Sequence, residues 1–250
     1  MIIEGISRKA PDRGPRVSVR QQDGSVREMP FDRLRLAHFA GSVPWRQARS
    51  VRGQTHFPGR YASVTTGGQV IYESRLELAR LLLADQAPEV CQIFAQPFLV
   101  TARIEGRVRR HVPDFLLVTR AGAVQVVNVK PAARLEDPKI VAALAWPGEL
   151  VCRHGWAYEV WSGAERALVE NIRFLAAYRR PGVVPVEDVE QAWASVVDGE
   201  QMASAEQRLA AGRPGHEVRP ALGALLWSGR LTTDLSRPLG GTSVLYKAVS

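Results

Sequence analysis

The stretch HVPDFLLVTRAGAVQVVNVKP, residues 111–131, decides the fold of this chain. Two apolar runs of strand-like composition flank the turn signal Arg120–Gly122, so the sequence predicts two neighbouring strands. Polar side chains interrupt these runs at Asp114, Asn128 and Lys130. Asn128 and Lys130 are two residues apart and project from the same face of an extended strand. If the two runs pair through the turn, all three polar groups meet on one face near one edge of the sheet.

A buried carboxylate beside a buried amine must be paired or bind something, because an isolated charge is costly in a medium of low dielectric constant. One interpretation is a structural salt bridge between Asp114 and Lys130. The helix before the strands favours another, because it carries two acids one turn apart on a shared face, Glu73 and Glu77. Glu77 also shares its stripe with apolar residues, so we expect it to face inward.

A glutamate on a helix, an aspartate after a proline and a lysine on the next strand are the parts of a magnesium-dependent phosphodiesterase site. Hard oxygen ligands hold the cation, which polarises the phosphate and makes a bound water more acidic. The lysine can stabilise charge on the phosphorane or help to orient that water. The same residues are therefore consistent with a salt bridge and with a catalytic site.

The sequence around these strands predicts an α/β fold. A helix is expected over residues 71–85, ending before Pro88, and a further helix runs from about Pro138 to Arg153, interrupted near Pro147. Between them lies a meander of three strand-like runs, and a buried strand and a last helix follow the second helix. This order predicts a mixed sheet with flanking helices. The three runs are VCQIFAQPFLVTARI, RVRRHVPDFLLVTR and AVQVVNVKP; the last strand and helix are WAYEVWS and AERALVENIRFLAAYRR.

We expect three parts along the chain. Residues 1–60 form an N-terminal basic arm with little regular structure apart from one hairpin around Asp23–Gly24. The arm is either a surface appendage or a DNA-contacting segment. Residues 61–180 form the α/β domain, and residues 181–250 form a C-terminal α+β domain that begins with a proline-rich linker. Three helices and a β-hairpin are predicted there, which describes a winged helix as well as other small folds; the helices are 186–197, 204–211 and 217–227.

The net charge of +8 arises from 33 lysines and arginines against 25 acids, and it suits a polyanionic partner such as nucleic acid. A basic protein without such a partner is the alternative that composition leaves open. Much of the excess is arginine in the clusters 46–52, 107–110 and 179–180. Guanidinium groups match phosphate oxygens in pairs, so these clusters favour a nucleic-acid partner.

Several classes of protein are excluded by composition. The two cysteines, Cys91 and Cys152, have no CxxC partner, so a disulfide framework and a zinc site are unsupported, and both are expected to be reduced core residues. The first residues lack the basic-then-apolar order of a secretory signal. No apolar stretch approaches the roughly 20 residues of a membrane span. We therefore expect a cytoplasmic protein without a membrane partner.

Other residues near the site are predicted to be structural. A single histidine at a strand start, such as His111, is more often a solvated or hydrogen-bonded structural residue than a phosphate ligand. Gln96–Phe98 fits a strand irregularity, although it could position the scissile phosphate. Three tryptophans in apolar surroundings are expected in the core: Trp146, Trp156 and Trp161.

The motifs SRLELARLLL, PDFLL, VVNVKPAARL and GWAYEVW occur in this order along the chain. The set resembles the PD-(D/E)xK nuclease superfamily and, within it, TnsA, the endonuclease subunit of heteromeric transposases. The similarity covers about residues 61–180, and Pro131 directly after the lysine adds to its specificity. The tail ALLWSGRLTTDLSRPLGG is similar to the C-terminal part of TnsA-like proteins.

The resemblance implies a restriction-endonuclease-like mixed sheet flanked by helices, with a C-terminal winged-helix-like domain. It implies that Glu77 and Asp114 are magnesium ligands, with a contribution from the carbonyl of Val129, and that Lys130 is the catalytic lysine. Manganese would substitute for magnesium. Asn128 departs from the family pattern, because relatives carry glutamine or glutamate there and its oxygen is one methylene shorter. Glu73 has no obligatory role in the match.

The resemblance further implies that the protein hydrolyses one strand of double-stranded DNA at each transposon end, the 5′ side. A DDE-type transposase would cut and join the other strand, and the C-terminal domain would bind a AAA+ regulatory ATPase as well as, or instead of, DNA. Two alternatives stay open. Either Asn128 marks a degenerate site in a scaffold that binds DNA and transposition partners, or the protein is a stand-alone restriction or repair nuclease.

Overall fold

The computed structural model describes residues 14–46, 57–210 and 215–248. The first part contains β1 (Arg16–Arg20), β2 (Val26–Pro30), β3 (Gly59–Ala62), β4 (Gln69–Tyr72), α1 (Arg75–Gln86), β5 (Val90–Ala95), β6 (Leu99–Ile104), β7 (Arg107–His111), β8 (Phe115–Thr119), β9 (Val124–Val129), α2 (Pro138–Arg153), β10 (Ala157–Trp161) and α3 (Arg166–Leu175). The C-terminal part contains α4 (Val186–Ser195), β11 (Glu200–Gln201), α5 (Met202–Ala210), α6 (Gly215–Trp227), β12 (Leu231–Thr232) and β13 (Val244–Lys247).

The main sheet has the strand order β10-β9-β8-β5. Strands β8 and β9 are antiparallel, with Phe115 opposite Val127, and β10 lies parallel to β9, with Trp161 opposite Val129. The predicted pairing within residues 111–131 and the predicted mixed α/β sheet are therefore confirmed. One face of this sheet packs on α1 and α3, and the other packs on the second sheet and α2.

The predicted three-stranded meander is wrong, because the chain passes between two sheets. The first run divides into β5 and β6, and the second divides into β7 and β8. Strands β6 and β7 join the hairpin β1–β2 in a second sheet with the order β2-β1-β6-β7. Each crossing contains a proline, Pro97 or Pro113, which has no N–H to continue a strand ladder. The predicted turn at Glu105–Gly106 is confirmed, and both of its residues have positive φ.

The N-terminal region is more ordered than the arm we expected. Its predicted hairpin is confirmed, but β1 also pairs with β6, and two short 3-10 helices follow β2. Phe31, Leu34 and Phe39 are buried in the second hydrophobic core. The expectation of little regular structure is therefore wrong for residues 14–46, whose apolar side chains cover a face of the main sheet. Most of the arginine cluster 46–52 lies outside the described residues, and the domain boundaries near 60 and 180 stay predictions.

Two helix boundaries differ from the predictions for local reasons. Helix α1 begins at Arg75 instead of residue 71, because Ser74 is its N-cap and the residues before it form β4. Helix α2 continues through Pro147 without the predicted interruption. At the next residue, Gly148, an added Cβ would lie 2.8 Å from the Tyr158 ring, so the glycine permits close packing of α2 on β10.

The predicted burial of aromatic and sulfur-containing residues is only partly correct. All three tryptophans of the α/β part, including Trp146, are partly buried against the hydrophobic cores, as expected. Cys91 is also partly buried against the second core, but Cys152 is exposed. The prediction of a core position is therefore wrong for Cys152, which lies on the outer face of the amphipathic helix α2.

The C-terminal part has the order α4-β11-α5-α6-β12-β13, and its three short strands form an antiparallel sheet in the order β11-β13-β12. Helix α6 is largely buried between α4, α5 and α3. An added Cβ at Gly223 would lie 2.4 Å from the Tyr178 ring, which shows how closely α6 meets the segment after α3. The amide of Asn171 on α3 donates to the carbonyls of Leu235 and Arg237 between β12 and β13. Among the described residues, no helix is long and apolar enough to cross a membrane.

Candidate functional site

The candidate site lies where β8 and β9 stop pairing with each other. The N–H of Asp114 donates to the Val127 carbonyl over 3.1 Å, and the Val129 N–H donates to the Asp114 carboxylate over 2.6 Å. The strands pair in regular register as far as Phe115 opposite Val127, and beyond that pair the hydrogen bonds of Asp114 are irregular. The Asp114 carboxylate thus lies beside the backbone of Val129, the residue that follows Asn128.

The backbone of Val129 faces the same carboxylate. An extended residue directs its N–H and its C=O to the same side of the strand. Because the Val129 N–H donates to Asp114, its carbonyl is also directed to the side on which Asp114 lies. The next residue, Lys130, holds the strand in place by donating its own N–H to the Trp161 carbonyl on β10. The arrangement agrees with the expected contribution of the Val129 carbonyl, whose role as a ligand stays a prediction.

Lys130 is half-buried and follows Asn128 on the same strand face. Its positive charge helps to offset the effect of burial on the pKa of Asp114, so the ammonium lies within electrostatic range of that carboxyl group. Within the described part of the chain, no carboxylate forms an ion pair with Lys130. The structure therefore does not contain the direct Asp114–Lys130 salt bridge of the structural interpretation.

Glu77 reaches the site from the first turn of α1. Its carboxylate accepts hydrogen bonds from the Glu73 N–H, over 2.7 Å, and from the Ser74 hydroxyl, over 3.0 Å. The Ser74 hydroxyl in turn accepts from the Glu77 N–H, so the two side chains cap the helix together. Burial and, after it, repulsion from Asp114 raise the pKa of Glu77 to about 7. The two predicted acids are therefore close enough to interact, although their side chains come from a helix and from a sheet.

Asp114 is also held in an unfavourable environment for a negative charge. Burial raises the pKa of this carboxyl group, whereas the Val129 N–H and the cations of Lys130 and Arg46 lower it, and the upward effect prevails. A divalent cation placed between the two carboxyl groups would favour the ionised form of both. Both carboxyl groups thus lie in surroundings that disfavour a negative charge, mainly because they are buried.

Glu73 and Gln96 belong to a network that the sequence did not reveal. The buried Gln96 side chain donates to the Glu73 carboxylate over 2.8 Å and accepts from the Arg46 N–H over 2.9 Å. Its own N–H donates to the Asp114 carbonyl over 2.8 Å. Gln96 has φ of 45°, an uncommon value for a residue other than glycine, and it occupies the crossing from β5 to β6. It therefore links the N-terminal region, α1 and β8 at the site.

Glu73 is accordingly not available as a free ligand. Its carboxylate accepts from Gln96 and forms an ion pair with Arg46 over 3.3 Å. In the sequence, Arg46 stands out only as a member of the arginine cluster 46–52. The adjacent residues Gln96 and Pro97 suggested a strand irregularity. Arg46, Glu73 and Gln96 are far apart in sequence, however, so no local pattern indicated that their side chains meet.

Asn128 near the end of β9 and His111 at the end of β7 form a partly buried polar pair. Asn128 is only 1% exposed, and its Oδ1 lies 2.8 Å from the His111 Nε2. The Nδ2 of Asn128 is also buried and has no hydrogen-bond partner. Burial and the nearby charges of Lys130 and Arg46 lower the pKa of His111 to about 4, against the opposing effect of the Asn128 hydrogen bond. The imidazole is therefore neutral at pH 7. Of the two structural possibilities for His111, solvated or hydrogen-bonded, the structure shows the hydrogen-bonded one.

A basic strand leads into the site. The side chains of Arg107, Arg109 and Arg110 are exposed on β7, which is an edge strand and ends at His111. Exposed guanidinium groups in a row fit the spaced phosphates of a nucleic-acid backbone. The sequence revealed this cluster, but not its connection to the acids, because the crossing between the two sheets at Pro113 was not predicted.

The donor set fits magnesium better than a transition metal. Within the three described segments, no group of three or more histidine, cysteine, aspartate or glutamate side chains could hold a metal ion. What the site offers is two carboxylates, one backbone carbonyl and one side-chain amide. Magnesium prefers such hard oxygen donors, keeps several water ligands and is often bound by only one or two carboxylates. The buried amide atom without a partner, Asn128 Nδ2, is a hydrogen-bond donor and is therefore not itself a ligand for a cation.

Comparison with known proteins assigns no family to this chain. It matches no protein-family model, and no curated protein is significantly similar to it.

Proposed function

We propose that this protein is a magnesium-dependent DNA endonuclease, similar to TnsA, that acts in the cytoplasm as a subunit of a heteromeric transposase. It would hydrolyse one strand, the 5′ side, at each transposon end while a DDE-type transposase processes the other strand. The observation that carries this proposal is the meeting of two half-buried carboxyl groups of raised pKa, Glu77 and Asp114, beside the ammonium group of Lys130. The ordered motifs around these residues supply the family resemblance.

Each residue has a distinct part in the proposed mechanism. Glu77, Asp114 and the Val129 carbonyl would hold Mg²⁺ or Mn²⁺, with Asn128 contributing directly or through a water molecule. When bound, the cation supplies polarisation of the phosphate and a water of lowered pKa. Lys130, which has no ion-pair partner among the described residues, is free to donate to a phosphate oxygen on which negative charge develops.

The Glu77 carboxylate is restrained before any substrate arrives. Its hydrogen bonds to the Glu73 N–H and the Ser74 hydroxyl restrict side-chain rotation. The Val129 N–H restrains Asp114 in the same way. A preorganised pair of ligands loses little conformational entropy when a cation binds, and this supports a catalytic role over a loose acidic surface.

The substrate proposal rests on charge and position. The arginines of β7 are exposed, and the strand runs directly to His111 at the site. A DNA backbone lying along β7 would bring a phosphodiester close to Lys130. Together with the net charge of +8, this arrangement favours double-stranded DNA as the substrate over a small phosphate ester.

The C-terminal domain has the element order of a winged helix, and we propose that it is one. In that fold the third helix usually enters the major groove. Here the corresponding helix, α6, packs against α3 and Tyr178, and the segment between β12 and β13 is held by Asn171. This packing favours a protein partner, the transposase or a AAA+ ATPase, over groove reading by α6.

A nicking assay tests the proposal. Supercoiled DNA carrying a transposon end is incubated with the protein and its cognate transposase, with Mg²⁺, with Mn²⁺ and with EDTA. We expect metal-dependent nicking at the 5′ side that Asp114→Asn and Lys130→Ala abolish, while DNA binding is retained. Glu170→Gln is the matched control, because Glu170 is an exposed acid paired only with Arg166 on α3. Equal inertness of the wild type and both variants in either metal, with DNA binding intact, would overturn the proposal.

A second candidate is a scaffold with a degenerate nuclease site. The observation that favours it is the burial of Asn128, an amide where relatives carry glutamine or glutamate, against His111. The scaffold would bind DNA and partners but would not cut in either metal. A stand-alone restriction or repair nuclease would instead cut without any transposase, so omission of the transposase from the assay distinguishes this third alternative.

A further inference from the structure

The pair formed by His111 and Asn128 contains an unsatisfied group whose position suggests a role. Asn128 Oδ1 lies 2.8 Å from His111 Nε2, and the opposite end of the amide, Nδ2, is buried without an acceptor. A buried N–H group without a partner is destabilising, because it has lost its hydrogen bonds to water. Asn128 directly precedes Val129, whose N–H donates to the Asp114 carboxylate over 2.6 Å. The amide with the unsatisfied end is therefore carried by the strand segment that binds Asp114.

The two ends of an amide have nearly the same shape but opposite hydrogen-bonding character. A half-turn about the Cβ–Cγ bond exchanges Oδ1 and Nδ2 without requiring other atoms to move. In one orientation His111 Nε2 donates to Oδ1, and in the other Nε2 accepts from Nδ2. A neutral imidazole can take either part, because one ring nitrogen carries a proton and the other is an acceptor. The tautomer of His111 therefore selects which end of Asn128 faces away from it.

We propose that His111 is a positioning residue, which in the cation-bound protein accepts a hydrogen bond from Asn128 Nδ2 and so turns Asn128 Oδ1 towards the cation. This inference rests on the proposed function. An oxygen beside Asp114 adds a hard donor to the site, whereas the NH₂ end would direct its positive dipole at the cation. A partner that fixes the orientation of a metal ligand in this way acts on the affinity for the metal.

The surroundings of His111 suit this role. The ring makes an edge-on contact with Trp146, with centroids 6.1 Å apart, which restricts its rotation. The backbone of His111 pairs with Val100 on β6, so the ring is carried by a regular strand. The basic strand β7 ends at this residue, which links the proposed DNA-facing surface to the side-chain amide of Asn128.

The tautomer is measured directly by long-range ¹H–¹⁵N NMR of the ¹⁵N-labelled full chain with and without Mg²⁺. The chain has five histidines, and His111→Phe identifies the signals of His111. We expect Nδ1 to be protonated and Nε2 unprotonated in the Mg²⁺-saturated protein. A protonated Nε2 in that state would overturn the inference, because it could only donate to Asn128 Oδ1.

Calorimetric titration with Mg²⁺ alone provides the second readout. We expect His111→Phe, which keeps a ring against Trp146, to weaken Mg²⁺ binding by roughly 10-fold or more. Asn128→Asp should remove this dependence, because a carboxylate has an oxygen at both ends; the double variant should bind Mg²⁺ within about 3-fold of Asn128→Asp alone. His154→Phe is the matched control, since His154 also contacts aromatic rings but bonds to the Leu34 carbonyl outside the site.

The outcomes separate this inference from the function on which it rests. A wild type that binds no Mg²⁺ overturns both. A wild type that binds Mg²⁺ and nicks DNA, with an affinity unchanged by His111→Phe, overturns only the role of His111. An equal loss of affinity from His111→Phe in the wild-type and Asn128→Asp backgrounds also overturns it, because the effect then does not depend on the orientation of the amide.

Discussion

Removing the negative charge of Glu77 should stabilise the metal-free protein at alkaline pH. The pKa of this carboxyl group rises from its ordinary value near 4.5 to about 7, through burial and repulsion from Asp114. The folded protein therefore binds more protons than the unfolded chain between these two values, and its stability falls as the pH rises from about 4.5 to 7. Above pH 7 the loss in the free energy of unfolding approaches roughly 3 kcal/mol, because each unit of pKa difference between the folded and unfolded states corresponds to about 1.4 kcal/mol.

The Glu77→Gln variant resembles the protonated carboxyl group at every pH. Glutamine keeps one carbonyl oxygen to accept from the Glu73 N–H, but it weakens the contact with the Ser74 hydroxyl. Allowing for that loss and for solvent screening at a partly exposed group, we expect a net gain of about 1–2 kcal/mol at pH 8. At pH 5 the wild type is mostly protonated, so the gain should disappear.

Urea unfolding in EDTA at pH 5 and pH 8 measures this difference. Glu170→Gln is the control, because its carboxylate is exposed on α3 and should show no comparable pH-dependent gain. If Glu77→Gln destabilises the protein equally at both pH values, the carboxylate acts only as a helix cap. Its negative charge then does not destabilise the fold at high pH. The same variant should lose Mg²⁺ binding, so its stability and its function should change in opposite directions.

Three further predictions test the same geometry. With a dissociation constant of about 1 mM, about 10 mM Mg²⁺ should stabilise the wild type by about 1.4 kcal/mol in thermal unfolding but leave Asp114→Asn unchanged; an equal shift in both would place the cation elsewhere. Arg109→Gln on β7 should weaken DNA binding and lower its salt dependence by about one ion. Arg219→Gln on α6 removes the same charge from a residue paired with Glu206 and should change DNA binding little, whereas a larger loss from Arg219→Gln would favour groove reading by α6. Gly223→Ala should cost about 1–3 kcal/mol in urea unfolding, because the added methyl meets the Tyr178 ring; full stability would mean that this contact relaxes freely.

The central pairing was predictable because it depends on short-range features. Residues 111–131 contain two strand-like runs and a turn, and the structure pairs them as predicted, from Phe115 opposite Val127 to Val118 opposite Val124. Glu77 was assigned to the inner side of its helix from spacing alone. The prediction of an α/β fold with a mixed sheet required only these local patterns and the order of elements.

The division into two sheets could not be read from hydrophobicity. VCQIFAQPFLVTARI is apolar over most of its length, and a single long strand is the simplest interpretation. The decisive feature is the backbone of Gln96, which has positive φ and satisfies both ends of its side-chain amide with the distant groups of Arg46 and Glu73. These partners are 50 and 23 residues away in sequence, so no local pattern could identify them.

Glu77 belongs both to the framework of the fold and to the candidate site. As a residue of the helix cap, its carboxylate is fixed by Glu73 and Ser74, and such a cap is stabilising by itself. A cap on the protein surface would keep an ordinary pKa, whereas here burial and, after it, repulsion from Asp114 raise the pKa of Glu77 to about 7. A purely structural cap gains nothing from this placement, because water would solvate the charge at less cost. A cation between the two acids would offset their repulsion by attracting both carboxylates, and this supports the proposal that Glu77 is a ligand as well as a cap.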